Sequence, residues 1–237
     1  SIMSETSGYL AGKWYAIPVA LLAMLALGAV FGIVNGIAVT VFKMPSFIAT
    51  MATQLIGTGI AVIYSSGKTI GGLPDSFADF GGGTLFGIIP NVLILALAVM
   101  LISHIICSRT LYGRRLYSVG TNPKAALISG IPVKKTIFWI FILSGLCSAV
   151  AGIIMMGQMQ SGASSYGATL FNDIMGSIIV GGSGKIPNTV LGAVLIILIN
   201  IALNLLNTPY FIITMIKGLI ILFAAAIEVF RKRKERA

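Results

Sequence analysis

The chain has 237 residues, of which 57% are hydrophobic and only 9% charged, and its mean hydropathy is +1.01. Soluble domains carry about 25% charged residues, so too few polar groups exist here to cover a globule, and most of the outside must face lipid. The net charge of +10 would raise nucleic-acid binding on a soluble protein, but the basic residues flank apolar runs, the positive-inside pattern, which argues against a nucleic-acid partner.

A membrane-crossing helix needs about 20 mostly apolar residues. In chain order, Trp14–Phe42, Phe47–Tyr64, Ile88–Ile106, Thr136–Met156, Thr189–Leu206 and Phe211–Phe230 qualify. A seventh apolar run, Leu170–Val180, has only 11 residues and ends in Gly181-Gly182-Ser183-Gly184, which stops a helix. The expected fold is all-α, a single polytopic transmembrane bundle over residues 1–237 with about six full spans and one short broken helix. Gly28, Gly32 and Gly36 share one face of the first span, and Ser144, Ser148 and Gly152 share one face of the fourth. Small residues at that spacing predict close helix packing within the chain.

Orientation follows from charge. Arg109, Arg114, Arg115, Lys124, Lys134 and Lys135 fall in a loop over 108–135, and Arg231, Lys232, Arg233, Lys234 and Arg236 fall in the tail over 231–237. Both segments are expected on the cytoplasmic side. The Met44–Pro45 turn with Lys43 then lies inside, and the Ser65–Gly87 loop with Asp75 and Asp79 lies outside, as does the N-terminus with Glu5. The count closes only if the short run crosses too, with Lys185 inside. Irregular backbone at membrane depth must be buried in protein or line a cavity, so Leu170–Pro187 becomes a candidate functional element. An N-terminus placed outside without a signal sequence fits a chain normally preceded by further helices.

No constellation for catalysis or metal binding is present. His104 is the one histidine and reads as a packing residue. Cys107 and Cys147 lie far apart, in or beside apolar runs. No cofactor is expected. Intramembrane carboxylate pairs, common in ion-coupled carriers, are absent from the sequence. The polar residues inside spans are Asn35, Gln54, Asn200, Asn204 and Lys217. Asn200 and Asn204 share a helix face. Lys217 is costly at membrane depth and should face the bundle interior and find a partner. The three could line a hydrated path, or serve as interhelical glue with a snorkelling lysine. Asn172 and Asp173 suit a helix start, as cap and dipole partner, with Gly181 and Gly182 as its end.

The loop over 108–135 carries a second signal. Asn122 can cap a helix, Pro123 suits its first position and Gly130 stops it, giving two turns. Ala125, Ala126 and Ser129 form a small-residue face that another protein could grip.

At this loop the sequence resembles a known family. Gly120-Thr-Asn-Pro-Lys-Ala-Ala-Leu-Ile-Ser-Gly-Ile131 is similar to the coupling-helix segment of permease subunits in bacterial ABC importers of the ribose/xylose type. Pro45-Ser-Phe-Ile-Ala-Thr50, Gly59–Gly67, Gly71–Pro74, Asp173–Gly182, Asn204–Leu206 and the Lys217 helix resemble further segments in the same order. Phe171 and Thr58 replace a usual glutamate and arginine. The resemblance implies an inner-membrane permease for a small polar solute such as ribose, and also implies further N-terminal helices. Its partners would be an ABC ATPase subunit, an extracytoplasmic solute-binding protein and a second permease subunit. The alternatives are a permease for branched-chain amino acids or nucleosides, or an ATP-independent carrier. The chain holds no Gly-x-x-x-x-Gly-Lys-Ser/Thr loop, so ATP chemistry belongs to a partner.

Overall fold

The computed structural model describes residues 16–71, 83–85, 89–182, 184 and 186–234. Glu5, Lys13, Asp75, Asp79, Ser183, Lys185 and residues 235–237 lie outside these, as do the expected span starts at Trp14 and Ile88. The chain forms two compact units, Ser1–Ser164 and Ser165–Ala237.

In the first unit, α1 spans Ala16–Thr40 and α2 spans Ser46–Ser65. The turn between them needs one residue in the left-handed region, and Lys43 takes it at φ 55° just before Pro45. Pro45 cannot extend a helix backwards, so α2 starts immediately after it. Next come a two-residue strand, β1 (Ile70–Gly71), and a hairpin of β2 (Thr84–Leu85) and β3 (Ile89–Pro90). Helices α3 (Asn91–Arg109), α4 (Leu111–Thr121), α5 (Pro123–Ile128) and α6 (Val133–Met159) follow. Strand β4 (Ser161–Gly162) pairs antiparallel with β1, tying the far end of α6 to the chain leaving α2. These short ladders are the only strands among the described residues; all else regular is helix.

The dominant packing in this unit is α1 on α6. A Cβ on Gly28 would lie 2.5 Å from the Gly145 carbonyl oxygen, and one on Gly32 would lie 2.6 Å from that of Phe141. Gly36 rests on the Phe138 ring, where a Cβ would sit 2.8 Å away. The glycine face of α1 is thus the seam, as its spacing predicts. Its counterpart on α6 differs from the expected one. The seam runs through Phe138, Phe141, Gly145 and Ala149, while Ser144 and Ser148 are exposed and Gly152 has open space beside it. Small-residue spacing marks a face able to pack closely; which of two such faces is used depends on the partner, and Gly28 needs a glycine opposite. Between α1 and α2, the Thr53 hydroxyl lies 2.9 Å from Asn35 Oδ1, a polar contact across the two helices.

The second unit is a three-helix assembly of α7 (Tyr166–Gly181), α8 (Ile186–Leu205) and α9 (Tyr210–Lys234). The expected 11-residue run is a 16-residue helix. Nothing before Leu170 breaks it, so the helix gains a turn from Tyr166 to Thr169. The break after it is shorter than expected, because α8 begins at Ile186 rather than Thr189, with Pro187 in its first turn. Gly181 faces the backbone of Asn188, and Gly192 abuts the Ser177 carbonyl. Residues 181 and 177 thus pair with 188 and 192, so α7 and α8 are antiparallel. Gly176 meets Ile221 and Asp173 meets Lys217, so α7 and α9 run parallel.

Five described helices are long and apolar enough to cross a membrane, and α9 adds the apolar stretch Phe211–Ala226. No more than 11% of any of the five is buried within the chain. Large side chains such as Leu22, Leu55, Ile102, Leu191 and Phe211 stand exposed. Such a surface is stable only against lipid or another subunit.

Candidate functional site

Two constellations carry the candidate residues, one in each unit. The first is the turn between α3 and α6. Asn122 Oδ1 accepts from the backbone N–H groups of Lys124 and Ala125, each at 3.1 Å, capping α5, and Pro123 takes the first helical position. Gly130 ends the segment at φ +78°, in the left-handed region that glycine enters without strain. The Ser129 hydroxyl donates to the Ala125 carbonyl at 3.0 Å.

Within the small-residue face the structure separates three residues. Ala125 and Ser129 are exposed, whereas Ala126 is buried at 3% where α5 packs on α4 and α6. Outward instead point Leu127 and Ile128, 65% and 88% exposed. An apolar, solvent-facing pair on a capped helix fits a protein partner better than the alanine does.

Leu111–Thr121, within the expected loop over 108–135, folds as the helix α4. Its signal was present: Tyr112, Leu116 and Val119 fall on one face, with Arg114 opposite and Arg115 exposed at its edge. The Thr110 hydroxyl accepts from the Gly113 N–H at 3.2 Å as the cap. Gly113 is pressed against the Cys107 carbonyl, where any side chain would collide. The Tyr112 hydroxyl donates to the Thr136 carbonyl at 3.0 Å, joining α4 to the first turn of α6. Burial pushes the Tyr112 phenol above its ordinary range, with Cys107 adding to the shift, so it stays a donor at neutral pH.

The second constellation lies in the three-helix unit. Lys217 Nζ sits 2.6 Å from Asp173 Oδ1, the one ion pair among the described residues. Asn200 Nδ2 approaches Asp173 Oδ2 at 3.4 Å, a long hydrogen bond. Each helix contributes one member. Asp173 and Lys217 each lie seven residues into their parallel helices, roughly 10 Å from the same end at about 1.5 Å per residue. They are part-exposed, at 29% and 17%.

Asp173 is therefore not a helix-start residue. The helix begins at Tyr166, so Asp173 is at its middle, and its role is to neutralise Lys217 rather than to meet a dipole. The expectation that Lys217 finds an inward partner holds, and the partner is Asp173. Asn204 is not part of the cluster; its amide donates to the Asn200 carbonyl at 2.8 Å and the residue is exposed. Gly181 and Gly182 serve the turn: Gly181 allows α8 to approach, and Gly182 adopts φ +64°.

Comparison with known proteins adds a third line of argument. The family described as "Branched-chain amino acid transport system / permease component" matches residues 3–225. The ribose import permease protein RbsC of Bacillus subtilis (strain 168) is 35% identical over 202 residues, covering 82% of this chain and 62% of the relative. The L-arabinose transport system permease protein AraH of Escherichia coli (strain K12) is 35% identical over 209 residues, covering 86% and 63%. The galactose/methyl galactoside import permease protein MglC of Haemophilus influenzae (strain ATCC 51907 / DSM 11121 / KW20 / Rd) is 29% identical over 233 residues, covering 93% and 69%. The chain thus spans just under two thirds of the length of the first two. No solved structure matches it.

Proposed function

Because the chain belongs to the permease-component family of the branched-chain amino acid transport system, we propose that it is the membrane subunit of an ABC importer that moves a monosaccharide inward. The chain is a multi-pass membrane protein with five membrane-length helices among its described residues. The observation that carries the reading is α5: a helix capped by Asn122, stopped by Gly130, held between two membrane-length helices and presenting Leu127 and Ile128 outward. That is a surface for an ATPase to grip. An extracytoplasmic binding protein and a second permease subunit complete the assembly in this reading, and the chain itself hydrolyses nothing.

The relatives' names support a sugar such as ribose, arabinose or galactose over the branched-chain amino acids of the family description. The Asp173–Lys217–Asn200 cluster supports the same path. Its two charges cancel, leaving amide and part-exposed polar atoms that suit an uncharged, hydroxyl-rich solute. The basic segments over 108–135 and 231–237 support a cytoplasmic side for both by the positive-inside rule. Helices α7 and α9 run parallel, so the glycine turn after α7 lies on the side of the C-terminal tail, which supports a crossing by α7. At 16 residues, about 24 Å long, it needs the irregular segments at its ends to complete that crossing.

The test is reconstitution in liposomes with the ATPase and the binding protein. Ile128→Glu places a charge on the exposed face without touching the fold. Loss of binding-protein-stimulated ATP hydrolysis, with insertion intact, is the expected result; unchanged stimulation removes α5 from docking. Ala126 is unsuited to this experiment, because its burial would confound docking with folding. Competition among ribose, arabinose, galactose, leucine and a nucleoside for uptake then assigns the solute.

A further inference from the structure

Asn172 suits a helix start in sequence, as Asp173 does, yet the structure places it well inside α7, six residues beyond Tyr166. That is about 9 Å from the end of the helix at about 1.5 Å per residue. The Asp173–Lys217–Asn200 cluster does not include it. Its side chain is exposed and has no hydrogen-bond partner among the described residues. An unpaired amide facing hydrocarbon is strongly penalised, and asparagine is too short to reach the interface from that depth.

The exposed surface of α7 has two characters. Leu170, Ile174 and Ile178 recur every four residues and all stand exposed, a strip suited to lipid. Ser165 at the head of the helix, Ala168 and Asn172 form a second exposed strip, at three- and four-residue spacing. At about 100° per residue, Asn172 is turned roughly 160° away from Ile174. The second strip is small and polar as far as Asn172. Met175 and Ile179 then continue the same face, apolar and half-buried. The polar lane therefore stops at Asn172, at the depth of the Asp173–Lys217 pair.

We infer that Asn172 is the solute contact of α7: its amide takes hydroxyl groups of the sugar at the foot of the Ser165–Ala168–Asn172 lane and so sets specificity. The chemistry selects this ligand. A side-chain amide offers an acceptor and two donors without charge, which matches adjacent hydroxyls that each donate and accept. A zwitterionic amino acid would need a free cation and a free carboxylate at this depth, and Lys217 and Asp173 already neutralise each other. A lipid tail would gain nothing from the amide. The inference rests on the importer reading for its solute, and the two fail in different ways.

The full chain is reconstituted in liposomes with the ATPase and the binding protein, and Cys107→Ser/Cys147→Ser removes its two native thiols. A charged, water-soluble methanethiosulfonate should label Asn172→Cys and leave Ile174→Cys unlabelled. During uptake, ribose, arabinose or galactose, whichever is transported, should slow that labelling, and leucine should not. Asn172→Leu should lower the uptake rate roughly tenfold with an unchanged or higher thermal midpoint, and Asn172→Gln should recover most of the loss. Labelling of neither cysteine places Asn172 against lipid or protein and overturns the inference. Equal labelling of both also overturns it, because the lane would then not be a distinct face. So does unchanged uptake in Asn172→Leu. A lowered thermal midpoint in that variant assigns the amide to packing between helices or subunits instead. If the parent chain takes up sugar without ATP, the importer reading fails, while the labelling contrast and its protection by sugar still decide the role of Asn172.

Discussion

Lys217 and Asp173 meet at 2.6 Å from parallel helices that are separated in sequence by all of α8. Each residue alone would be a charge at membrane depth. Together, with Asn200 on the second carboxylate oxygen, they fix the register of all three helices in their unit. Removing one partner from a buried pair costs about 3–5 kcal/mol, and the partial exposure here reduces that to roughly 1–3 kcal/mol. Lys217→Met and Asp173→Asn should each lower the thermal midpoint in detergent, and the double variant should recover most of the loss. Additive losses in this double-mutant cycle would mean that the pair is not coupled.

The glycine seam gives a second expectation. Gly145→Val drives a side chain into the Gly28 carbonyl, so α1 and α6 must separate. Overpacking of this kind costs about 1–3 kcal/mol. Gly152→Ala, with open space beside it, should be neutral or slightly stabilising through helix propensity. Equal melting temperatures for the two variants would remove the seam from its structural role.

At the α5 turn, Asn122→Ala removes the acceptor for two backbone N–H groups. The cost is about 1 kcal/mol, felt locally. Hydrogen exchange at the amides of Lys124 and Ala125 should accelerate several-fold while the α1 and α6 amides stay protected. Uniform acceleration across the chain would contradict a local cap.

Tyr112 offers a pH-dependent readout. Its phenol is raised in the folded chain, so the native state holds the proton more tightly than the unfolded state does. The stability it contributes is complete below the ordinary tyrosine range near about pH 10 and is lost as pH rises from there through the folded value. Tyr112→Phe should cost about 0.5–1.5 kcal/mol at neutral pH by freeing the Thr136 carbonyl. It should also flatten the alkaline loss of stability. An alkaline profile identical to that of the parent chain would place the titration elsewhere.

Much of this was legible in the residues themselves. The apolar runs decide a membrane bundle, because a chain this poor in charge has no other solvent to fold in. Local chemistry decides the α5 cap, since Asn122, Pro123 and Gly130 act on backbone within a few residues of themselves. The glycine face of α1 was readable for the same reason. The sequence also required Lys217 to find a partner.

Tertiary structure alone decided which partner. Asp173 reads locally as a dipole partner at a helix start, and only the parallel packing of α7 and α9 brings its carboxylate to Lys217. Likewise the choice of Gly145 over the Ser144 and Ser148 face, and the burial of Ala126 between α4 and α6, follow from what lies opposite. Periodicity states which side chains share a face of their own helix. It carries no information about which face of another helix they meet, because that is set by the fit of two surfaces far apart in the chain.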